Sequence, residues 1–299
     1  TFVSSPTLGT LRFGEEDSAA SLLAVRHPSI ATSGSDGDWD DGLLSNNTFT
    51  AGGPSLMTGI NDGNDSTKII YLSPQFFGFD FGLSYSPNRN DGDRIIAGRQ
   101  RQRVERAALP PGVPNRDGTG LTNEISAAVR YRGSFGNVGV QAGFGYQQAD
   151  APEVATSGAR IATPAQDVQA FTVGLQVTAF GFTVGGEYSW GDYAGPVATG
   201  ALAAGRDKSS HYVLGVTYVT GPFQLGAFFG QAEQDTSTTG PDREQQVFGI
   251  SGLYNIAPGL DVYATYAQLS DDNVNITANG GTLRNRDAST FILGTRLAF

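Results

Sequence analysis

Residues Gly34 to Gly42 read GSDGDWDDG and carry four carboxylates, Asp36, Asp38, Asp40 and Asp41, in a chain that is only 16% charged. Carboxylates at this density hold a hard cation, sit in a solvated acidic turn, or form the negative side of a larger charged site. Asp36, Asp38 and Asp40 have the 1-3-5 spacing of a calcium loop, but position 6 is Asp41 instead of Gly and position 12 is Asn47 instead of a bidentate Glu. Calcium at Asp36, Asp38 and Asp40, with NDGNDS (61–66) as a further source of oxygen ligands, stays a secondary reading. The other chemistry-bearing types are sparse. There is no Cys, so thiolate metal sites and disulfides are excluded, and the only histidines are His27 and His211. Ser209 and His211 share a strand face, but two neighbours along one strand rarely reach attack geometry, so a hydrolase is disfavoured. No phosphate-cradling Gly loop occurs. A net charge of −10 argues against nucleic acid, which needs clustered bases. Arg99, Arg101, Arg103 and Arg106 read as a solvated or lipopolysaccharide-facing run in a loop.

The elements that would position these residues are strands. From Thr67 onward, runs of about ten alternating residues are joined in pairs by very short turns, and the pairs by long polar stretches. The runs are 67–73 with 79–86, 124–133 with 138–148, 168–178 with 182–190, 209–219 with 223–233, 244–256 with 260–270, and a last one, 288–299. With 9–16 this makes twelve predicted strands, and only Ser18 to Val25 suggests a helical turn. The long connections fall at about 88–120, 150–166, 192–207, 235–243 and 271–286, with 17–66 before them. Faces follow from parity. Ile125, Ala127, Val129 and Tyr131 oppose Ser126, Ala128, Arg130 and Arg132, and Phe291, Leu293 and Leu297 oppose Gly294, Arg296 and Ala298. By the same parity, Arg12, Lys68, Arg130, Arg132 and Arg296 are the candidates for the inward face, opposite the apolar one wherever the faces can be assigned.

Alternation alone also fits a soluble sandwich, in which the apolar face would be inside; a lectin-like binding module is the alternative reading. Three features favour an all-β, transmembrane, antiparallel up-and-down β-barrel forming a single domain over 1–299. Short turns alternate with long loops. Strand lengths match the 9–11 residues a tilted strand needs to cross a bilayer. Aromatics gather at strand ends: Phe77, Phe79, Phe135, Phe180, Phe182, Trp190, Phe223 and Tyr254. No run of 18 apolar residues encodes a spanning helix. The first residues, Thr1-Phe2-Val3, include no initiator Met, which reads as a processed product or a fragment.

The stretches GTLRFGEED (9–17) and TKIIYLSPQFFGFDFGLSYSPN (67–88), with the terminal strand ending in Phe299, resemble the general-diffusion porins of Gram-negative outer membranes, particularly the α-proteobacterial type. The resemblance covers essentially the whole chain. It implies a passive diffusion channel for small hydrophilic solutes and ions, no enzymatic activity, no cofactor, a homotrimer, and an integral outer-membrane location among lipid and lipopolysaccharide. It also implies that segment 17–66 folds into the lumen as the pore constriction, facing a basic wall. Asp36, Asp38, Asp40 and Asp41 are then the acidic side, and Arg12, Lys68, Arg130, Arg132 and Arg296 the basic side. The family barrel has sixteen strands, with the constriction loop after the fifth. Matched on that loop, the chain is expected to lack its first strands; a genuine twelve-stranded barrel is the rival.

Overall fold

The computed structural model describes residues 1–34, 39, 56–57, 59–60, 66–88, 121–152, 165–195, 201–206, 208–235, 241–276 and 282–298. Among them, strands follow one another in the order of the chain. They are β1 (Phe2–Ser5), β2 (Gly9–Glu15), β3 (Thr67–Leu72), β4 (Phe79–Asn88), β5 (Thr122–Phe135), β6 (Val138–Asp150), β7 (Val168–Ala179), β8 (Phe182–Asp192), β9 (Ser209–Thr220), β10 (Phe223–Gln234), β11 (Arg243–Ala257), β12 (Leu260–Ile276) and β13 (Thr282–Leu297). Each pairs antiparallel with its sequence neighbours in a single sheet ordered β1 to β13. A sandwich would need two sheets packed face to face, so the soluble alternative fails. One four-residue helix, α1 (Ala19–Leu22), interrupts the pattern, inside the predicted helical turn.

Among the described residues there are thirteen strands against the twelve expected. The extra one, β1, is four residues long and joins β2 through the turn at Pro6 to Leu8, too short for alternation to register. The stretch 271–286 is also mostly ladder instead of loop. β12 runs on to Ile276 past a register shift between Asp271 and Val274, where Asn273 adopts a φ of 60°. A bulge of this kind lets a polar strand end continue pairing that composition alone would assign to a loop.

The turns explain the difference between the two ends of the sheet. At the short-turn end, Phe180 and Gly181 both have positive φ, 54° and 81°, as tight hairpin turns require. Gly181 cannot be replaced cheaply, since a methyl there would lie 2.8 Å from the Val219 carbonyl oxygen.

Side chains sort by face as parity predicts. Outward-pointing Leu83, Val129, Leu175, Val184, Leu214, Ile250 and Leu293 are large, apolar and exposed. Their inward neighbours Ser84, Ser126, Gln147, Thr172, Ser189 and Thr265 are buried. Aromatic contacts form two outward belts. One, at the short-turn end, includes Phe79–Tyr131 and Phe223–Tyr254 at ring-centroid separations of 5.0 and 4.9 Å. The other, at the long-connection end, includes Phe171–Trp190 and Tyr188–Trp190 at 5.5 and 5.2 Å. Outward carboxylates (Asp150, Asp192, Glu233, Glu244, Asp272, Asp287) sit near the long-connection ends of their strands, clear of the apolar band. A charge facing hydrocarbon near mid-bilayer costs about 2–4 kcal/mol for Arg or Lys, which explains why the strand arginines point inward.

Candidate functional site

Beyond β2 the chain turns under the sheet and crosses its concave face. Ser18 caps α1, its Oγ accepting from the Ser21 N–H at 3.3 Å. The free amides of Ala19 and Ala20 donate to Ser84 Oγ on β4 (3.0 Å) and Ser126 Oγ on β5 (2.8 Å). Gln176 on β7 donates to the Arg26 carbonyl at 2.7 Å, and His27 Nδ1 lies 3.1 Å from Glu187 Oε1 on β8. Ser33 Oγ accepts from Ser251 Oγ on β11 at 3.0 Å, and Thr32 Oγ1 donates to Thr265 Oγ1 on β12 at 2.9 Å. Residues 19 to 33 thus meet β4 through β12. Strand spacings of about 4.8 Å make that path up to about 38 Å along the sheet, within reach of fifteen residues that spend one turn on α1 and another at Ile30–Ser33, where the Ser33 N–H donates to the Ile30 carbonyl at 3.0 Å.

The wall accommodates this backbone by omitting side chains. A methyl at Gly143 would lie 3.0 Å from Val25 Cγ2, one at Gly215 2.7 Å from the Pro28 carbonyl oxygen, and one at Gly226 3.2 Å from Ile30 Cδ1. At Gly174 it would overlap the Val25 carbonyl oxygen. Farther along, Trp39 is buried against Phe228 at 6.4 Å between ring centroids and donates from Nε1 to the Gly34 carbonyl at 2.6 Å. Leu56, Met57, Val213, Val247 and Leu269 complete that apolar cluster. Ile60 returns toward α1, its carbonyl accepting from Arg26 Nη2 at 3.2 Å and its side chain joining Ala20 and Leu23.

Arg12, Lys68, Arg130, Arg132 and Arg296 all lie on the inward face, but they do not form one cluster. Arg130 and Arg132 converge on Asp80 of β4, with Nη2–Oδ2 distances of 2.7 and 2.8 Å. One carboxylate between two guanidiniums leaves a net positive charge, and the Arg132 side chain is 43% exposed. Arg296 pairs with Asp261 at 2.6 Å and is 59% exposed. Arg12 pairs with Glu16 at 3.1 Å. Lys68 differs: its side chain is fully buried, Nζ donating to Ser66 Oγ at 2.5 Å and lying 3.9 Å from Glu124 Oε1. It braces the wall and does not face open lumen.

Asp36, Asp38, Asp40 and Asp41, the residues of the acidic constriction and of the calcium reading, lie outside the described residues, as does the 99–106 basic run. Among the described residues no group of acids and histidines is arranged to hold a metal ion. Ser209 and His211 do not pair: Ser209 Oγ donates to the Tyr193 carbonyl at 2.6 Å, and His211 Nδ1 lies 3.3 Å from the Tyr193 hydroxyl. His211 is buried on the inward face, two residues from the start of β9. Burial, reinforced by nearby Tyr188, pushes the Tyr193 hydroxyl well above its ordinary range and keeps it protonated.

Sequence reasoning named the inward bases but missed their partners Asp80 and Asp261, the His27–Glu187 contact, and a buried Arg243–Asp271–Arg286 group with 2.7 and 2.6 Å contacts. The same parity rule, applied to acids, finds Asp80, Glu187 and Asp261; Asp271 escapes it because 271–286 reads as a connection.

A sheet with an apolar outer face and two aromatic belts, its inner face crossed by a long loop, is the arrangement of outer-membrane channels. The family model of the Gram-negative porins matches residues 2–274. The chain is a Gram-negative porin. It is therefore an integral outer-membrane protein and a channel, with the barrel fold of that family. Solved structures agree on the fold. A porin refined at 1.8 Å resolution superimposes with a TM-score of 0.61 at 18% identity, covering 100% of this porin and 80% of that chain. In-vitro folded OmpT of Vibrio cholerae gives 0.55 at 18% identity, over 97% and 76%. The DcaP channel of Acinetobacter baumannii gives 0.51 at 9% identity, over 96% and 71%. Among curated protein sequences none is a significant match.

Proposed function

We propose that this porin is a passive diffusion channel for small hydrophilic solutes and ions, narrowed by segment 17–66, with selectivity set by acids of that segment facing bases of the wall. The observation that carries this reading is the course of residues 19–33 across the inward face from β4 to β12. A chain laid across the lumen reduces its free section and brings its own charges close to the opposite wall. Asp36, Asp38, Asp40 and Asp41 are the negative side. Arg12, Arg130, Arg132 and Arg296 are the positive side, while Lys68 is withdrawn from that role by its burial. Opposed charges across a narrow aqueous path produce a transverse field that orients dipolar solutes and disfavours apolar ones. Homotrimer assembly is part of the same proposal, supported by the similarity to a V. cholerae OmpT described as a trimer form (TM-score 0.55, 17% identity, over 97% of this chain and 77% of that one).

Reversal potentials in planar bilayers test the charge assignment. Converting the four aspartates to asparagine shifts selectivity toward anions, and converting Arg130 and Arg132 to alanine shifts it toward cations. Unchanged reversal potentials in both variants overturn the assignment while leaving the channel itself intact.

A further inference from the structure

The outward face of β7 to β10 carries an open apolar groove of about 960 Å3, at a depth between the two aromatic belts. Strand register defines it. Leu175, Gly186, Leu214 and Phe229 are successive cross-strand neighbours in one row, and Val177, Val184, Val216 and Ala227 in the next row toward the short turns. Gly186 and Ala227 provide no bulk, so their rows dip between flanking aliphatic side chains. Leu175, Val184 and Leu214 are each more than half exposed.

The groove has a direction. The row above it holds Tyr188 and Tyr212, beside Gln231, and the Tyr212 hydroxyl donates to Gln231 Oε1 at 3.1 Å. The polar end therefore faces the long connections, which lie on the external side in barrels of this type. Water is excluded at hydrocarbon depth, and the groove is continuous with the membrane-facing belt of an outer-membrane protein. It is open to the membrane along its length, room enough for an extended hydrocarbon chain lying against the wall.

We propose that this groove seats one acyl chain of an outer-leaflet lipid, with the headgroup at Tyr188, Tyr212 and Gln231, and holds it more firmly than the surrounding lipid. The binding energy is apolar contact along the aliphatic rows. The polar row sets the orientation, as amphipathic aromatic side chains do at membrane interfaces.

Trp190 reports on the site, because its ring lies 5.2 Å from that of Tyr188. The full chain in mild detergent is titrated with a phospholipid carrying brominated acyl chains, and tryptophan fluorescence is recorded. Quenching is expected to saturate near one lipid per chain. In Val184→Phe/Ala227→Phe, which fills the groove, at least tenfold more lipid is needed. In Ala264→Phe, which adds the same ring to the outward face of β12, the titration matches the unmodified protein. Quenching that rises without saturation, and equally in all three proteins, means bulk solvation only and overturns the proposal. Saturation lost together with a change in oligomer size assigns the groove to a second copy and overturns it too. If the double variant fails to fold, shown by loss of heat-modifiable migration, Ala227→Leu alone carries the comparison. Single-channel conductance is expected to be the same in all variants, so failure here is separable from failure of the proposed channel selectivity.

Discussion

A missing side chain at Gly174 does more for the site than many side chains that are present. Its absence lets the Val25 carbonyl lie against β7, and Gly143, Gly215 and Gly226 do the same for neighbouring parts of the segment. Gly174→Ala is expected to destabilise the folded protein by about 1–3 kcal/mol, the usual range for overpacking, and to alter single-channel conductance by lifting the segment. Gly139→Ala is the control: it is also inward, but its methyl would meet nothing closer than 3.7 Å. Equal heat-modifiability midpoints for the two variants would contradict the seating. His27 belongs to the same scale. Its partner Glu187 is a buried carboxylate on the wall, with a side chain 1% exposed. His27→Ala removes one of its hydrogen-bond partners at a cost of about 1–3 kcal/mol, read from the same midpoint.

At the scale of elements, β4 and β5 act together. Asp80 on one strand fixes Arg130 and Arg132 on the next, two residues apart and therefore on one face. Asp80→Ala leaves both guanidiniums without that acceptor, and lumen water can solvate them, so the stability loss is expected at about 1–2 kcal/mol, toward the surface-pair end. The selectivity effect has a definite sign: removing the carboxylate raises the local charge by one, so the reversal potential moves toward anions. Arg132→Ala moves it the other way. A shift in the same direction for both variants would remove this group from the conduction path.

The elements also show which parts of the fold were legible from sequence. Strands such as 168–178 and 209–219 declare themselves because a membrane barrel inverts the solvent on one face, and period 2 survives over ten residues or more. β1 has no such length. Residues 19–33 were beyond this reasoning for a different reason. Their contacts are to Ser84, Gln176, Glu187 and Thr265, far away in sequence, and the glycines that receive them read as ordinary strand glycines. The inward bases were found by parity; their pairing with Asp80 and Asp261 depends on register, which parity does not supply.

For the whole molecule, the outer face decides behaviour in solution. Large apolar side chains across β3 to β13 require detergent or lipid, and the protein is expected to stay insoluble in aqueous buffer after detergent removal and to show heat-modifiable migration. Retention in aqueous buffer as a monodisperse species would be incompatible with the outward band.

The crossing segment has a consequence for the order of assembly. Each rung of the ladder joins strands adjacent in the chain, so the sheet can grow strand by strand from either end. Contacts such as Thr32 to Thr265 and Ser33 to Ser251 span 233 and 218 residues and cannot form until β11 and β12 are in place. Long closures of this kind are the slow ones. On the proposed function, the narrowing of the channel is therefore expected to come late in folding, because the wall must exist before the segment has anything to lie against.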